Sequence, residues 1–273
     1  MKKEGSSFSV YHKATDKNIY SYVKNEKRGI KMKIIRVKNS LEGGAIASGM
    51  IIDLIKEKES ATLGLATGSS SETTYAHLVE AYKAGEVSFA EVRAVNLDEY
   101  VGLDGSHPQS YRYFMNEKLF SKIDVKRENT YLPNGIAEDL TAECERYNRL
   151  ISTLSPIDIQ LLGIGHNGHI GFNEPSEAFI DGTHVVELSP STIEANSRFF
   201  EAENDVPRRA ITMGISQIMS AKHIILLAFG EGKSEILRAA LMGEITPHIP
   251  ASILQKHESL TVIADEAALS EIN

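Results

Sequence analysis

His166, Asn167, His169, Asn173 and Glu174 crowd into the segment Leu161-Leu-Gly-Ile-Gly-His-Asn-Gly-His-Ile-Gly-Phe-Asn-Glu-Pro175. Two imidazoles, two amides and a carboxylate this close together can move protons near neutral pH, where histidine changes charge. Gly163, Gly165, Gly168 and Gly171 interleave them, and glycine backbone can take left-handed angles and approach a ligand closely. Other chemistries compete for the same residues. Gly163-x-Gly165-x-x-Gly168 matches a dinucleotide fingerprint, but that fingerprint needs a helix opening at the last glycine, and Gly171 and Pro175 follow instead. His166, His169 and Glu174 could ligate a metal, although no cysteine is near and no HExxH helix is present. A glycine-rich turn satisfied by local hydrogen bonds is the plain alternative. Acid–base work by His169 and Glu174 is the expectation carried forward.

Three further places hold chemistry-bearing residues. Thr67-Gly68-Ser69-Ser70-Ser71 precedes a helical pattern with Tyr75, Leu78, Val79 and Tyr82 on one face. Backbone N–H groups at a helix N-terminus, joined by hydroxyls, form an anion site, whereas a simple cap would need only one of these serines. Asp98 and Glu99 follow Val92-Arg-Ala-Val-Asn-Leu97, and adjacent side chains of an extended chain face opposite ways, so only one can serve a cleft. Asp98, first off the strand, is the candidate base, and Glu99 is expected to be solvated or paired with a basic neighbour. Gly230-Glu-Gly-Lys233-Ser234 resembles the end of a P-loop, but Leu227 stands where its first glycine belongs. A lysine at a helix start opposes the helix dipole unless an anion is bound, which makes Lys233 a phosphate-ligand candidate. Arg198, beside Phe199-Phe200, could swing over the same anion.

The elements that must position these groups alternate in kind. Apolar strand-like runs at Lys33–Val37, Ala61–Ala66, Val92–Leu97, Ile157–Ile164, His223–Phe229 and Ser259–Ala264 are separated by helical patterns. That alternation implies an α/β fold, a doubly wound, mostly parallel sheet with helices on both faces, whose carboxyl edge takes the ligand. Thr183–Leu188 reads as a further strand. Residues 1–31 are polar and Lys-rich without a clear period, and are read as a poorly ordered extension or leader. Residues 32–273 form one domain, with a lid at roughly 179–209, where core signals weaken.

At 273 residues the chain can bury a full core, and its net charge of −8 disfavours a nucleic-acid surface. An anionic ligand would therefore need local donors. The single cysteine, Cys144, lies on the apolar face of a helical pattern and reads as a buried thiol. Neither a membrane-length apolar run nor a secretory signal is seen, so a cytoplasmic protein is expected.

Leu65-Ala-Thr-Gly-Ser-Ser70, Asn96-Leu-Asp-Glu-Tyr-Val-Gly-Leu103, the segment Gly163–Pro175 and Asn196-Ser-Arg-Phe-Phe200 resemble the glucosamine-6-phosphate deaminase family, across essentially residues 32–266. The resemblance implies a doubly wound α/β fold, no cofactor and no metal. It also implies conversion of glucosamine 6-phosphate and water to fructose 6-phosphate and ammonia. By resemblance His169 opens the sugar ring, supported by Glu174 and Asn167. Asp98 then removes the C2 proton and returns one at C1. Thr67, Gly68, Ser69, Ser70, Arg198 and Lys233 match phosphate-binding positions. Allosteric hexameric members carry Asp where Asn167 stands, and basic activator-pocket positions hold His184 and Val186 here. Activation by N-acetylglucosamine 6-phosphate is accordingly not expected, and a monomer is favoured over a homo-oligomer. The alternatives are a 6-phosphogluconolactonase-like hydrolase and a non-catalytic sugar-phosphate sensor. The sensor would need a DNA-binding helical pair, which residues 1–31 do not offer.

Overall fold

The structure is a computed structural model that describes residues 8–15, 18–25 and 31–272. In chain order the elements are β1 (Phe8–Thr15), β2 (Asn18–Asn25), β3 (Lys31–Val37), α1 (Ser40–Glu57), β4 (Thr62–Leu65), α2 (Ser69–Lys83), β5 (Arg93–Asn96) and β6 (Asp98–Tyr100). They continue with α3 (Tyr111–Lys118), β7 (Thr130–Tyr131), α4 (Leu140–Leu154), β8 (Ile159–Gly163), β9 (His184–Glu187) and α5 (Pro190–Ser197). The chain closes with β10 (Arg209–Thr212), α6 (Ile215–Met219), β11 (His223–Ala228), α7 (Ser234–Met242) and β12 (Leu260–Asp265).

The main sheet runs β1-β2-β3-β12-β11-β8-β4-β5-β7, parallel from β3 onward. Alternation along each strand feeds two separate cores. Leu161, Ile225, Leu227 and Ile35 pack with α1, α2 and α3, whereas Leu162, Ile224, Leu226 and Ile34 pack with α4 and α7. Period-two side chains on a parallel strand covered by helices require both faces to be apolar, so the strands read as near-continuous hydrophobic runs. The expected doubly wound α/β architecture is what the chain forms.

The extension read as poorly ordered contains two described strands. β1 and β2 pair antiparallel, and β2 pairs antiparallel with the edge strand β3. The β-favouring run Ile19-Tyr-Ser-Tyr-Val23 suits a strand, but the polar residues around it hide the pattern from a periodicity reading. A second, three-stranded antiparallel sheet, β6-β10-β9, was not foreseen either. It pairs Asp98 with Thr212 and Tyr100 with Ala210, and it carries a small core of Tyr100, Phe172, Leu188, Ile193, Val206 and Ala210. Most of the 179–209 segment is built on this sheet. Among the described residues, no helix is long and apolar enough to cross a membrane.

The amino edge of the main sheet is closed by charge. Asp158, 3% exposed, accepts from Lys58 Nζ at 2.6 Å, Lys222 Nζ at 2.9 Å and the Thr62 N–H at 2.8 Å. One carboxylate thereby ties the starts of β8, β4 and β11. Burial raises its proton affinity, but the two lysines and the N–H outweigh burial and hold its pKa below the usual carboxylate range. A depressed folded pKa means the stabilisation is complete above the unfolded value of roughly 4 and is lost as pH falls through the lower folded value. Asp158→Ala is expected to cost about 1–3 kcal/mol in urea unfolding at pH 7, with a smaller difference from the parent in strong acid.

Candidate active site

Four adjacent parallel strands, in the order β11-β8-β4-β5, end at one crevice. Chain progression reverses between β8 and β4, and such a switch point leaves a gap between diverging loops. β4 delivers Thr67–Ser70, β5 delivers Asp98, β8 delivers Asn167 and His169, and β11 delivers Lys233. Together with Arg198 from the end of α5, they line a cleft of about 330 Å³. Glu174 lies behind that lining, against His169. Nine of the ten candidate residues therefore open on the cleft and the tenth supports one of them.

The Thr67–Ser71 loop departs from simple capping. Gly68 is the N-cap of α2 with φ +105°, and no side chain caps the helix. A Cβ at Gly68 would meet nothing within 4 Å, so its backbone angle, not crowding, demands glycine. No side chain therefore takes the first N–H groups of the helix, at Ser69 and Ser70, which line the cleft, an arrangement suited to an anion. Tyr75, in the second turn of α2, hydrogen-bonds the Ala66 carbonyl and anchors the loop from below.

Lys233 is the N-cap of α7, and its ammonium donates to the Ile164 carbonyl at 2.8 Å. Burial, reinforced by the charge of Arg198, lowers its pKa to about 8. Two cations near enough for their charges to interact mark a place for negative charge. Arg198 is exposed at the C-terminus of α5, its guanidinium 4.7 Å from the Phe199 ring centre. His166, considered above as a metal ligand, stands beside these cations. Lys233 foremost, then burial and Arg198, lowers its pKa, so the surroundings favour an anion over a metal ion. No helix opens at Gly168, and the dinucleotide reading fails with it.

Asp98 is 5% exposed. Burial pushes its carboxyl well above the usual range, the Glu99 charge adds to this, and the Phe172 N–H nearby, which donates to Thr212 Oγ1 at 3.1 Å, works against it. Glu99 faces the other way, as alternation requires, but it is neither solvated nor primarily an ion-pair partner. At 2% exposure it accepts the N–H groups of Tyr100, Tyr111 and Arg112 at 2.9 Å each, capping α3. Burial raises it to about 6 against those bonds.

His169 and Glu174 approach with Nδ1 3.7 Å from Oε2. Asn167 Nδ2 donates to Glu174 Oε2 at 2.6 Å, and Asn167 Oδ1 accepts the His169 N–H at 3.2 Å. Burial raises the Glu174 pKa, but the His169 imidazole beside it, with Thr192 and the Asn167 amide, brings it down to about 2. Asn173 is buried and structural, donating to the Ile170 and Met213 carbonyls at 2.9 and 2.8 Å. Gly165 lies under the imidazole, where a Cβ would fall 2.3 Å from Cε1 and 2.4 Å from Nε2 of His169. Gly165→Ala is expected to lower turnover by roughly tenfold or more by displacing a group worth about 10²–10⁴-fold. Its thermal midpoint should stay near the parent value, checked by calorimetry beside the rate.

Sequence reasoning passed over Tyr100, Tyr111, Phe172 and Thr192. Tyr111 stacks on Phe172 with ring centres 5.7 Å apart and planes 9° apart, and Tyr100 accepts a hydrogen bond from Asn196 Nδ2 at 2.9 Å. Tyr111, in a helical pattern, read as core, and its packing against Tyr100 of the second sheet and Phe172 places all three at the cleft wall.

A switch-point crevice that gathers an imidazole beside a carboxylate, a buried carboxyl, two cations and an uncapped helix start defines an α/β protein with a cleft suited to a small anionic ligand. The chain belongs to the glucosamine-6-phosphate isomerase/6-phosphogluconolactonase family, whose model matches residues 44–263. It is 54% identical over 239 residues to the glucosamine-6-phosphate deaminase of Geobacillus sp. (strain WCH70), covering 88% of this chain and 95% of the relative. Identity to the glucosamine-6-phosphate deaminase of Clostridium perfringens (strain 13 / Type A) is 50% over 237 residues, 87% of this chain and 98% of that one. A solved structure of a monomeric glucosamine-6-phosphate deaminase superposes with a TM-score of 0.85 at 46% identity, covering 87% of this chain and 99% of that chain. The 6-phosphogluconolactonase of Trypanosoma cruzi superposes at 0.72 with 19% identity, covering 88% and 96%, a likeness of fold alone.

Proposed function

We propose that the protein converts glucosamine 6-phosphate and water to fructose 6-phosphate and ammonia. The observation that carries this reading is that Asp98 and His169 open on one cleft, which also takes the Thr67–Ser70 loop, Arg198 and Lys233. The last three hold the phosphate. His169, supported by Glu174 and Asn167, takes the proton of the anomeric hydroxyl and returns one to the ring oxygen, breaking the C1–O5 bond. Asp98 then removes the C2 proton, and the C–H electron pair becomes the C1–C2 double bond of an enolamine as the C1 oxygen gains a proton. A carboxyl whose proton affinity burial has raised is a better acceptor for such a carbon-bound proton. Protonation at C1 leaves a C2 imine, water adds to it, and ammonia departs to give the ketose. The 179–209 segment serves as the lid that keeps bulk water from the intermediate. A cytoplasmic location and a monomeric state belong to the same reading.

A coupled ammonia assay tests it directly. Ammonia and fructose 6-phosphate should appear in equal amounts from glucosamine 6-phosphate, without acceleration by N-acetylglucosamine 6-phosphate. Hydrolysis of 6-phosphogluconolactone without ammonia release would replace this function with the lactonase one. Binding of the sugar phosphate without turnover would leave a sensor.

A further inference from the structure

Arg198 is flanked in the chain by Asn196 and Phe200, and both of these rest on one residue of another element, Tyr100. Tyr100 is buried on β6, two residues after Asp98, and both line the cleft. The strand is held in register by β10, with Asp98 opposite Thr212 and Tyr100 opposite Ala210. On one side of Arg198, Asn196 Nδ2 donates to the Tyr100 hydroxyl at 2.9 Å. On the other, the Phe200 ring meets the Tyr100 ring edge-on, with centres 6.0 Å apart and planes at 82°. Between them the backbone turns tightly. The Arg198 and Phe199 N–H groups both donate to the Asn196 carbonyl, the second at 3.0 Å, and the Phe200 N–H donates to the Ser197 carbonyl at 3.0 Å.

The guanidinium itself is less firmly kept. Arg198 is exposed, and the Phe199 ring over which it lies is exposed too. An arginine side chain has much rotamer freedom to lose on binding, and fixing the backbone beneath it lowers the cost of placing its charge. We propose that Tyr100 is a positioning residue that docks the Arg198 turn on the strand of Asp98, so that the cation for the phosphate and the base for C2 share one rigid support. This rests on the reading of Arg198 as a phosphate ligand in the deaminase reaction.

The test is Tyr100→Phe, read by calorimetric titration with inorganic phosphate beside steady-state kinetics. The variant keeps the ring that packs on Tyr111, Phe172 and Phe200, and it removes the bond to Asn196 whichever group supplies the hydrogen. Its phosphate affinity should fall about two- to tenfold, the size of one neutral hydrogen bond, and KM for glucosamine 6-phosphate should rise by a similar factor. The change in kcat should be smaller, and the thermal midpoint should stay near the parent value. Asn196→Ala should reproduce the loss from the other end of the bond. In an Arg198→Ala background Tyr100→Phe should weaken phosphate binding no further, because the turn then carries no cation to place. Parent-like phosphate affinity in Tyr100→Phe overturns the proposal, and so does a full second loss in the Arg198→Ala background. An Arg198→Ala variant that binds phosphate as the parent does overturns it as well. A parent that releases no ammonia would sink the deaminase reading, while the phosphate titrations would still decide the role of Tyr100.

Discussion

Asp98→Asn is expected to lower kcat by roughly 10²–10⁴-fold with little change in KM for glucosamine 6-phosphate. The amide keeps the shape of the carboxyl, so binding geometry survives while the proton acceptor is lost. The fold should not suffer. Asp98 and Glu99 are adjacent buried carboxyls whose charges oppose each other, and neutralising one relieves that repulsion. Its thermal midpoint should therefore equal or exceed the parent's. The parent kcat/KM should fall with acidification through a pKa above the ordinary carboxylate range, because a base works only unprotonated and burial has raised its pKa. The asparagine variant should lack that limb. An asparagine variant that releases ammonia at the parent rate would remove Asp98 from the chemistry.

Lys233→Ala is expected to reduce kcat/KM by roughly 10- to 100-fold, mostly through KM, since a charged hydrogen bond contributes about 1.5–3 kcal/mol. The lysine also predicts a pH signature. Burial and Arg198 lower its pKa to about 8, so above that pH more of the population must regain a proton before it can pair with a phosphate dianion. KM should rise as pH passes above about 8 in the parent and should lack that rise in the alanine variant. An unchanged KM would place the phosphate elsewhere.

How much of this was legible in the chain depends on range. Strands β4, β5, β8, β11 and β12 announce themselves because a parallel strand covered on both faces is apolar throughout. Their order in the sheet is a matter of long-range packing that no local pattern encodes. Every site residue but Arg198, at the end of α5, was found in a segment that follows such a strand, where a chain leaving a sheet edge must place polar groups. β6 was missed because three residues, Asp98-Glu-Tyr100, are too few to carry a period. The role of Glu99 was missed for a related reason. Its partners at Tyr111 and Arg112 lie across a loop, and helix capping from a distant strand leaves no spacing signature. Thr192 looked like any helix-start residue, and only the fold of α5 against the Gly163–Pro175 segment brings it to the cleft beside His169.

The uncapped start of α2 has a thermodynamic corollary. Gly68 leaves amides that most helices satisfy with a serine or aspartate of their own, and the helix forgoes that stabilisation from its own chain. Any dianion that settles there completes the helix, and by mass action it raises resistance to heat in proportion to the logarithm of its concentration over its Kd. Melting in graded inorganic phosphate would therefore register occupancy of the cradle without a single turnover.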